Sequence, residues 1–286
     1  MRQPGVIRVP NAGQSAMVPR PIPNLPVRSA TLAQLCDGGW RTRLNHSRDD
    51  HLVIWITRGQ GVVTVDGVRR GVGAHNALYL PAGTLLSLEF GPQTLGLVVL
   101  ATCDDTGSLP SETLHLRVRD SMAQAELTSE IEAMQREQVQ QRPLMEEALA
   151  ARLAPIGVWL RRQDLAGASD APPKTAARRL VRHYARLVAS DFRDTLTMAH
   201  FAERLEVTPT HLARVCRDCC GKTAADLLTE RRLHAAKTEL MTRDDPIKDI
   251  AAGLGFQSAA YFTRFMQQHE GLTPSATRRA LRSQAH

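Results

Sequence analysis

The stretch from Leu196 to Arg278 constrains the fold more than any other part of the chain, because it states one pattern twice. The first statement reads LTMAHFAERLEVTPTHLARVCRDCCGKTAADLL and the second DPIKDIAAGLGFQSAAYFTRFMQQHEGLTPSATR. With Arg214 laid over Arg264 the two align without a gap, so that Ala202 meets Ala252, Leu212 meets Phe262 and Gly221 meets Gly271. Each copy spells a short apolar-periodic helix, a turn and a second helix. Thr208 followed by Pro209 is an N-cap hydroxyl with proline in the first turn. Ser258 caps the counterpart, and Gly221 and Gly271 sit where helix-terminating glycines fall. Two helices joined by a tight turn make a helix-turn-helix, whose second helix enters a DNA major groove.

The landmarks FAERLEVTPTHLARVC, then Arg232–Leu233 with Ala236 and Leu240, then IAAGLGFQSAAYFTRFM and GLTP, resemble the DNA-binding domain of the AraC/XylS family of transcription regulators. That resemblance covers roughly the last hundred residues. It implies two helix-turn-helix units joined by a long helix, at about 197–221 and 247–271. Four positions depart from the family pattern: Cys216, Met266 and Glu270 replace aromatics, and Thr277 replaces Tyr or Phe. All four are expected to be packing positions.

Charge separates the chain in two. Residues 1–173 hold 17 Lys/Arg and 17 Asp/Glu, whereas residues 174–286 hold 19 against 12, so the whole net charge of +7 lies with the repeats. A basic unit beside a neutral one is the footprint of a polyanion-binding module. Five irregularly spaced cysteines suggest no disulfide framework and point to a reducing cytoplasm. No apolar run approaches the roughly 20 residues that span a bilayer, so no membrane association is expected. The Pro-rich start, residues 1–27, reads as a flexible arm.

Residues from about 28 to 118 read as β. HLVIWITRG, GVVTVDGVRR, NALYLPAGTLLSLEF and TLGLVVLAT are short apolar runs broken by Gly, Asp and Pro, at the spacing of an antiparallel sandwich or barrel. Asp66–Gly67 is a hairpin-turn signal. The order resembles the cupin-like barrel that often precedes this DNA-binding domain. Metal-binding cupins need His-x-His, a carboxylate and a later His. Here His46 and His51 are wrongly spaced, and Leu85 or Leu86 stands at the later position, so neither a metal site nor catalysis is expected. A barrel can hold one small effector. Trp40, His51, Trp55 and Tyr79 are the candidate lining, and for each a packed core with a satisfied polar tip is the competing reading.

From Ser121 to Gln163 the period changes to about 3.6. Leu127, Ile131 and Met134 share one face, as do Leu149, Leu153, Ile156 and Leu160, while Glu126, Glu130, Glu132 and Glu137 are placed on the solvated side. Two such helices either close over their own sheet or pair with a second subunit, and the family resemblance implies a homodimer. Residues 165–175, LAGASDAPPKT, read as a linker. The expected organisation is α+β and multidomain: an arm (1–27), a cupin-like barrel with a helical appendage (28–164), the linker, and an all-α DNA-binding domain (176–286).

Within that domain, Arg214 and Arg264 hold equivalent sites on the two reading helices and can fork to guanine, or else hold a phosphate or a carboxylate. Thr208, Thr210, His211 and Ala213 accompany the first, and Ser258, Ala260, Tyr261 and Thr263 the second. Arg217 and Lys222, with Arg231 and Arg232, are expected at phosphates. Cys216, Cys219 and Cys220 raise a redox or zinc alternative, weighed against a small buried hydrophobe. The reading is a transcription regulator, activator or repressor, whose partners are promoter DNA, RNA polymerase and a small-molecule effector, with no cofactor. The competing classes are a non-metal cupin-type enzyme or thiol redox sensor with a DNA-binding tail, and an architectural DNA-binding protein with no effector.

Overall fold

The structure, a computed structural model, describes residues 24–37, 39–102, 107–194 and 196–283. The arm expected over 1–27 lies outside the described residues as far as residue 23, and Val27 already opens a strand. The first half runs β1 (Val27–Thr31), α1 (Leu32–Cys36), α2 (Trp40–Arg43), β2 (His51–Arg58), β3 (Gln60–Val65), β4 (Val68–Gly73), β5 (Asn76–Leu80), β6 (Leu86–Phe90), β7 (Leu95–Ala101) and β8 (Leu114–Arg117). The strands form two antiparallel sheets, one ordered β1-β7-β2-β5-β8 and one β4-β3-β6. Asp66 and Gly67 take φ of 48° and 67°, the mirror-image turn whose twist suits a two-residue hairpin, and they join β3 to β4 with Val65 opposite Val68.

The two sheets enclose an aliphatic core that includes Ile54, Ile56, Val63, Val65, Leu78, Leu80, Leu88, Val98 and Leu100. The other face of the larger sheet carries Val53, Trp55, Tyr79, Val99 and Leu116, and it packs against the next three helices, α3 (Ser121–Gln140), α4 (Met145–Ala151) and α5 (Leu153–Leu165). Leu127, Ile131, Met134, Leu149, Ile156 and Leu160 are all fully buried there. The apolar stripe of these helices is therefore spent on their own sheet. Glu137, assigned to the solvated side, is instead buried and paired with Arg142, because its position carries it round to the sheet-facing side of α3. The segment expected as a linker is half tied down: Arg117 N–H donates to Ala168 O at 2.7 Å and Asp170 N–H to His115 O at 2.8 Å, extending the edge at β8.

The remainder is helical: α6 (Ala176–Asp191), α7 (Met198–Arg204), α8 (Pro209–Cys220), α9 (Ala224–Thr242), α10 (Ile247–Gly253), α11 (Ala259–Glu270) and α12 (Pro274–Ser283). Its core joins Val181, Tyr184, Phe201, Leu212, Leu227, Leu240, Ile250, Phe262 and Met266. The two α/α pairs match, with one correction. The second helices keep the expected offset, but the first helices are one residue closer: Ala202 is equivalent to buried Ala251, whereas Ala252 is exposed. The second turn is longer by that residue. The left-handed position in it is Gly255 (φ 78°), and the first turn puts Glu206 there (φ 56°).

The two halves touch. Leu85 joins the helical core, and a Cβ on Gly67 would come within 2.4 Å of Val181 Cγ1. Along α9, buried Asn45 donates Nδ2–H to Glu230 Oε2 at 2.6 Å, and the rings of His46 and His234 stack at 4.5 Å.

Candidate nucleic-acid interface

The reading helices are fixed at both ends by local chemistry. Thr208 Oγ1 accepts from His211 N–H at 3.2 Å, Pro209 occupies the first turn of α8, and Gly221 closes it in the left-handed conformation. Ser258 Oγ accepts from Tyr261 N–H at 3.2 Å, and Gly271 closes α11 the same way. Leu212 and Phe262 face inward, 1% and 0% exposed, which turns the residues on either side of them outward. Thr210, His211 and Arg214 are exposed on α8 and Ala213 is half-buried; on α11, Ala260, Tyr261 and Arg264 are exposed and Thr263 is half-buried. Tyr261 keeps 55% of its surface in solvent while leaning on Phe256.

The two arginines are equivalent in place but not in surroundings. Arg214 Nη1 lies 3.5 Å from Asp218 Oδ2, and its Nη2 donates to His211 Nδ1 at 3.2 Å. Both side chains of the ion pair are largely exposed, so the contact is worth well under about 1 kcal/mol and holds the fork in place rather than stabilising the helix. Asp218 was not singled out from the sequence, although its i, i+4 spacing from Arg214 was the available signal.

Three of the expected phosphate contacts are turned to other uses. Lys222 Nζ pairs with Glu230 at 2.7 Å, at the seam with the first half. Arg231 is buried, 3.6 Å above the ring of Phe192, and Arg232 donates to Phe192 O at 2.8 Å and Asp194 O at 2.7 Å. Arg231 and Arg232 lie on the inward side of α9 and Lys222 in the turn before it, where each cation finds an internal partner. Arg217 stays exposed on α8. Of the four departures from the family pattern, Cys216, Met266 and Thr277 are buried packing positions, but Glu270 pairs with Lys237 at 2.5 Å.

The cysteines carry little thiolate character. Burial pushes the Cys216 thiol up to about 12, and burial raises Cys219 and Cys220 as well. A thiol so shifted is a poor nucleophile and a poor redox sensor.

The proposed effector lining does not gather between the two sheets. Trp55 and Tyr79 point out of the sheets toward the helices: Trp55 Nε1–H donates to Thr128 Oγ1 at 3.0 Å, and Tyr79 OH meets His51 Nδ1 at 2.8 Å. Trp40 lies at the seam, its ring 5.4 Å from that of His234 and 4.9 Å from Lys237 Nζ. The physical reason is that both faces of β2 and β5 are covered, so the aliphatic set filled the space between the sheets and the aromatics went to the helices. Among the described residues open space lies elsewhere: one cavity of about 970 Å³ is lined by Gln60, Val62, Val72, Asn76, Phe90 and Arg117 among others. A cavity of about 560 Å³ lies between the first half and α9, lined by Arg41, His46, Arg48, Asp50, His234 and Thr238 among others. No group of three or more His, Cys, Asp or Glu among the described residues is placed to hold a metal ion, and no helix is long and apolar enough to cross a membrane.

A helical unit with two capped helix-turn-helix pairs and outward-facing arginines at matched positions defines a nucleic-acid reader. Comparison with known proteins agrees: residues 201–280 match the helix-turn-helix domain family. The chain is 38% identical over 71 residues to the regulatory protein SoxS of Escherichia coli, covering 25% of this chain and 66% of SoxS. It is 25% identical over 243 residues to the uncharacterized HTH-type transcriptional regulator YijO of Escherichia coli, 80% of this chain and 79% of that protein. Among solved structures it aligns with ToxT of Vibrio cholerae bound to an unsaturated fatty acid, at 15% identity over 88% of this chain and 94% of ToxT, with a TM-score of 0.41. The chain spans 13% to 56% of the length of the first three curated relatives it matches. The C-terminal unit is a helix-turn-helix DNA-binding domain of the AraC/XylS type.

Proposed function

We propose that the whole chain is a sequence-specific transcription regulator of the AraC/XylS type, acting in the cytoplasm on double-stranded promoter DNA. The observation that carries this reading is the pair of equivalent, separately capped reading helices that expose Arg214 and Arg264 on the basic half of the chain. The 19 residues of α9 separate the two units by about 28 Å of helix, so that a single chain addresses two half-elements in succession. Arg214, with Thr210, His211 and Ala213, reads one element; Arg264, with Ala260, Tyr261 and Thr263, reads the other; and Arg217 holds a phosphate.

The first half supplies regulation rather than catalysis. An effector that occupies the cavity against α9 touches both halves, and it shifts the population of DNA-competent arrangements by its differential affinity for them. Homodimerisation in this reading uses the outward face of α3, where Met122 and Val139 are exposed, because the inward face is covered by the sheet. As an activator, the DNA-bound form engages RNA polymerase.

The test is selection of random duplexes by the full chain, followed by anisotropy titrations. A bipartite motif that loses selectivity at one element on Arg214→Ala, and at the other on Arg264→Ala, is the expected result. Binding that depends on salt with no enriched motif sinks the reading.

A further inference from the structure

A second constellation lies away from the reading faces, where β4, the 165–175 segment and the start of α6 meet. Arg70 on β4 is only 6% exposed, and its Nε and Nη1 are buried with no hydrogen-bond partner among the described residues. A guanidinium buried with open donors is costly unless an acceptor reaches it. The small cavity it faces is lined by five cations, Arg70, Lys174, Arg178, Arg179 and Arg182, and by no carboxylate. The nearest counter-charge is Asp66, whose Oδ2 stands 3.9 Å from Arg182 Nε, too far for a hydrogen bond. Burial, with Arg182 and Arg178 close by, holds the Arg70 guanidinium down at about 10 in spite of Asp66.

Two of these cations are held by neutral acceptors only. Arg178 Nη1 folds back on Pro173 O at 3.0 Å, and Arg179 Nη1 on Lys174 O at 3.1 Å. An ionised oxygen is the stronger acceptor for both. Arg178 and Arg179 reach the cavity from near the start of α6, a 16-residue helix capped by Thr175, whose positive dipole end favours negative charge nearby. As it stands the free space is about 10 Å³, room for one water. An anion therefore enters as Arg178 and Arg179 leave the carbonyls and turn to it.

We propose that this junction is a binding site for an oxyanion of the phosphate class, gripped by Arg70, Arg178 and Arg179. Its source is either a free phosphate or phosphoryl group, or a backbone phosphate of bound DNA. Arg70 belongs to the sheets and the other arginines to the first helix of the DNA-binding unit, so occupancy ties the two halves together and frees the segment between them.

The test uses the full chain, with thermal unfolding and calorimetric titration against inorganic phosphate and pyrophosphate at constant ionic strength, and chloride as the control. For a free oxyanion, a saturable rise in Tm is expected, with binding about tenfold or more weaker in Arg70→Gln and in Arg178→Gln, each of which removes a charged hydrogen bond. The second variant sits at the rim, so a folding defect of the first does not decide the matter. For a DNA phosphate, both variants lower the slope of log affinity against log salt by about one, and free phosphate does no more than chloride. Phosphate that acts only like chloride, together with an unchanged salt slope in both variants, overturns the proposal. The phosphate titration does not depend on any DNA sequence, so its outcome is separable from that of the regulator reading.

Discussion

Lowering the pH from 7 to 5 should loosen the seam between the two halves through His46 and His234. His46 is 3% exposed and donates Nδ1–H to Leu44 O at 2.9 Å, while half-buried His234 donates Nε2–H to Arg41 O at 3.0 Å. Their rings lie 4.5 Å apart and 9° from parallel. Burial is the main cause that holds His46 down to about 4, with Arg48 and Arg231 adding to it and the Leu44 bond and Asp50 opposing. Burial likewise takes His234 to about 2, with His46 and Arg231 contributing. In the unfolded chain both titrate near their ordinary 6.5. Below that pH the unfolded state takes up protons that the folded state refuses. Stability is therefore complete above about pH 7, falls as pH drops through 6.5, and goes on falling toward the folded values. From pH 7 to 5 the cost is about 2 kcal/mol for His46 and less for His234, whose partial exposure screens it, so about 3 kcal/mol together. Urea unfolding of the full chain, followed by tryptophan fluorescence, reads this directly because Trp40 lies against His234. His115, also buried and held down to about 4, contributes equally to wild type and variant. The expected result is that the loss between pH 7 and 5 is smaller by about 3 kcal/mol in the His46→Gln/His234→Gln double variant. Equal losses in both proteins would refute the linkage.

Gly255→Ala should destabilise the chain by about 3 kcal/mol or more in thermal unfolding, because φ is 78° and the new Cβ would lie 1.6 Å from Arg193 O. Glu206→Gly, at the equivalent left-handed position, should instead gain up to about 1 kcal/mol by relieving a non-glycine residue at φ 56°. Arg217→Ala should lower the salt slope of DNA binding by about one, whereas Lys222→Ala, whose partner is Glu230, should leave that slope unchanged. Thiol labelling of the native chain at neutral pH should reach half-buried Cys219 well before Cys216 and Cys220; equal rates would contradict their burial.

The helix caps were legible because they are local. A hydroxyl before a proline and a glycine after a periodic run fix a helix end whatever surrounds it, and Thr208, Ser258, Gly221 and Gly271 all do so. The hairpin at Asp66–Gly67 was legible for the same reason. The facing of the β-sheet aromatics was not. β2 is buried on both sides, from Leu52 to Ile56, so its run of apolar residues has no polar alternation to mark which side meets the other sheet. Trp55 and Tyr79 could then be assigned to either space, and their polar tips, satisfied by Thr128 and His51, suited the helix-facing one. The one-residue difference between the two turns was hidden by Ala251 and Ala252, since a gap-free alignment sets alanine on alanine at either offset. Only burial separates them.

The seam on α9 had no signal in the sequence, since Asn45, His46 and Ser47 meet Glu230, His234 and Arg231 across more than 180 positions. Yet it determines how the DNA-binding unit can respond. One side of α9 carries the partners of the first half, and its packing against α8, α10 and α12 joins both helix-turn-helix pairs to the same rod. A reader whose two units were linked only to each other would be blind to the sheets. Here Lys222, at the end of the first unit, and Lys237, which pairs with Glu270 of the second and lies over Trp40, are both engaged at this seam. A change in the seam thus reaches both reading helices through ion pairs a single residue or turn away from them. The 1–3 kcal/mol that separates coupled from uncoupled sites in regulated proteins is no larger than the cost of losing one or two of these buried or half-buried pairs.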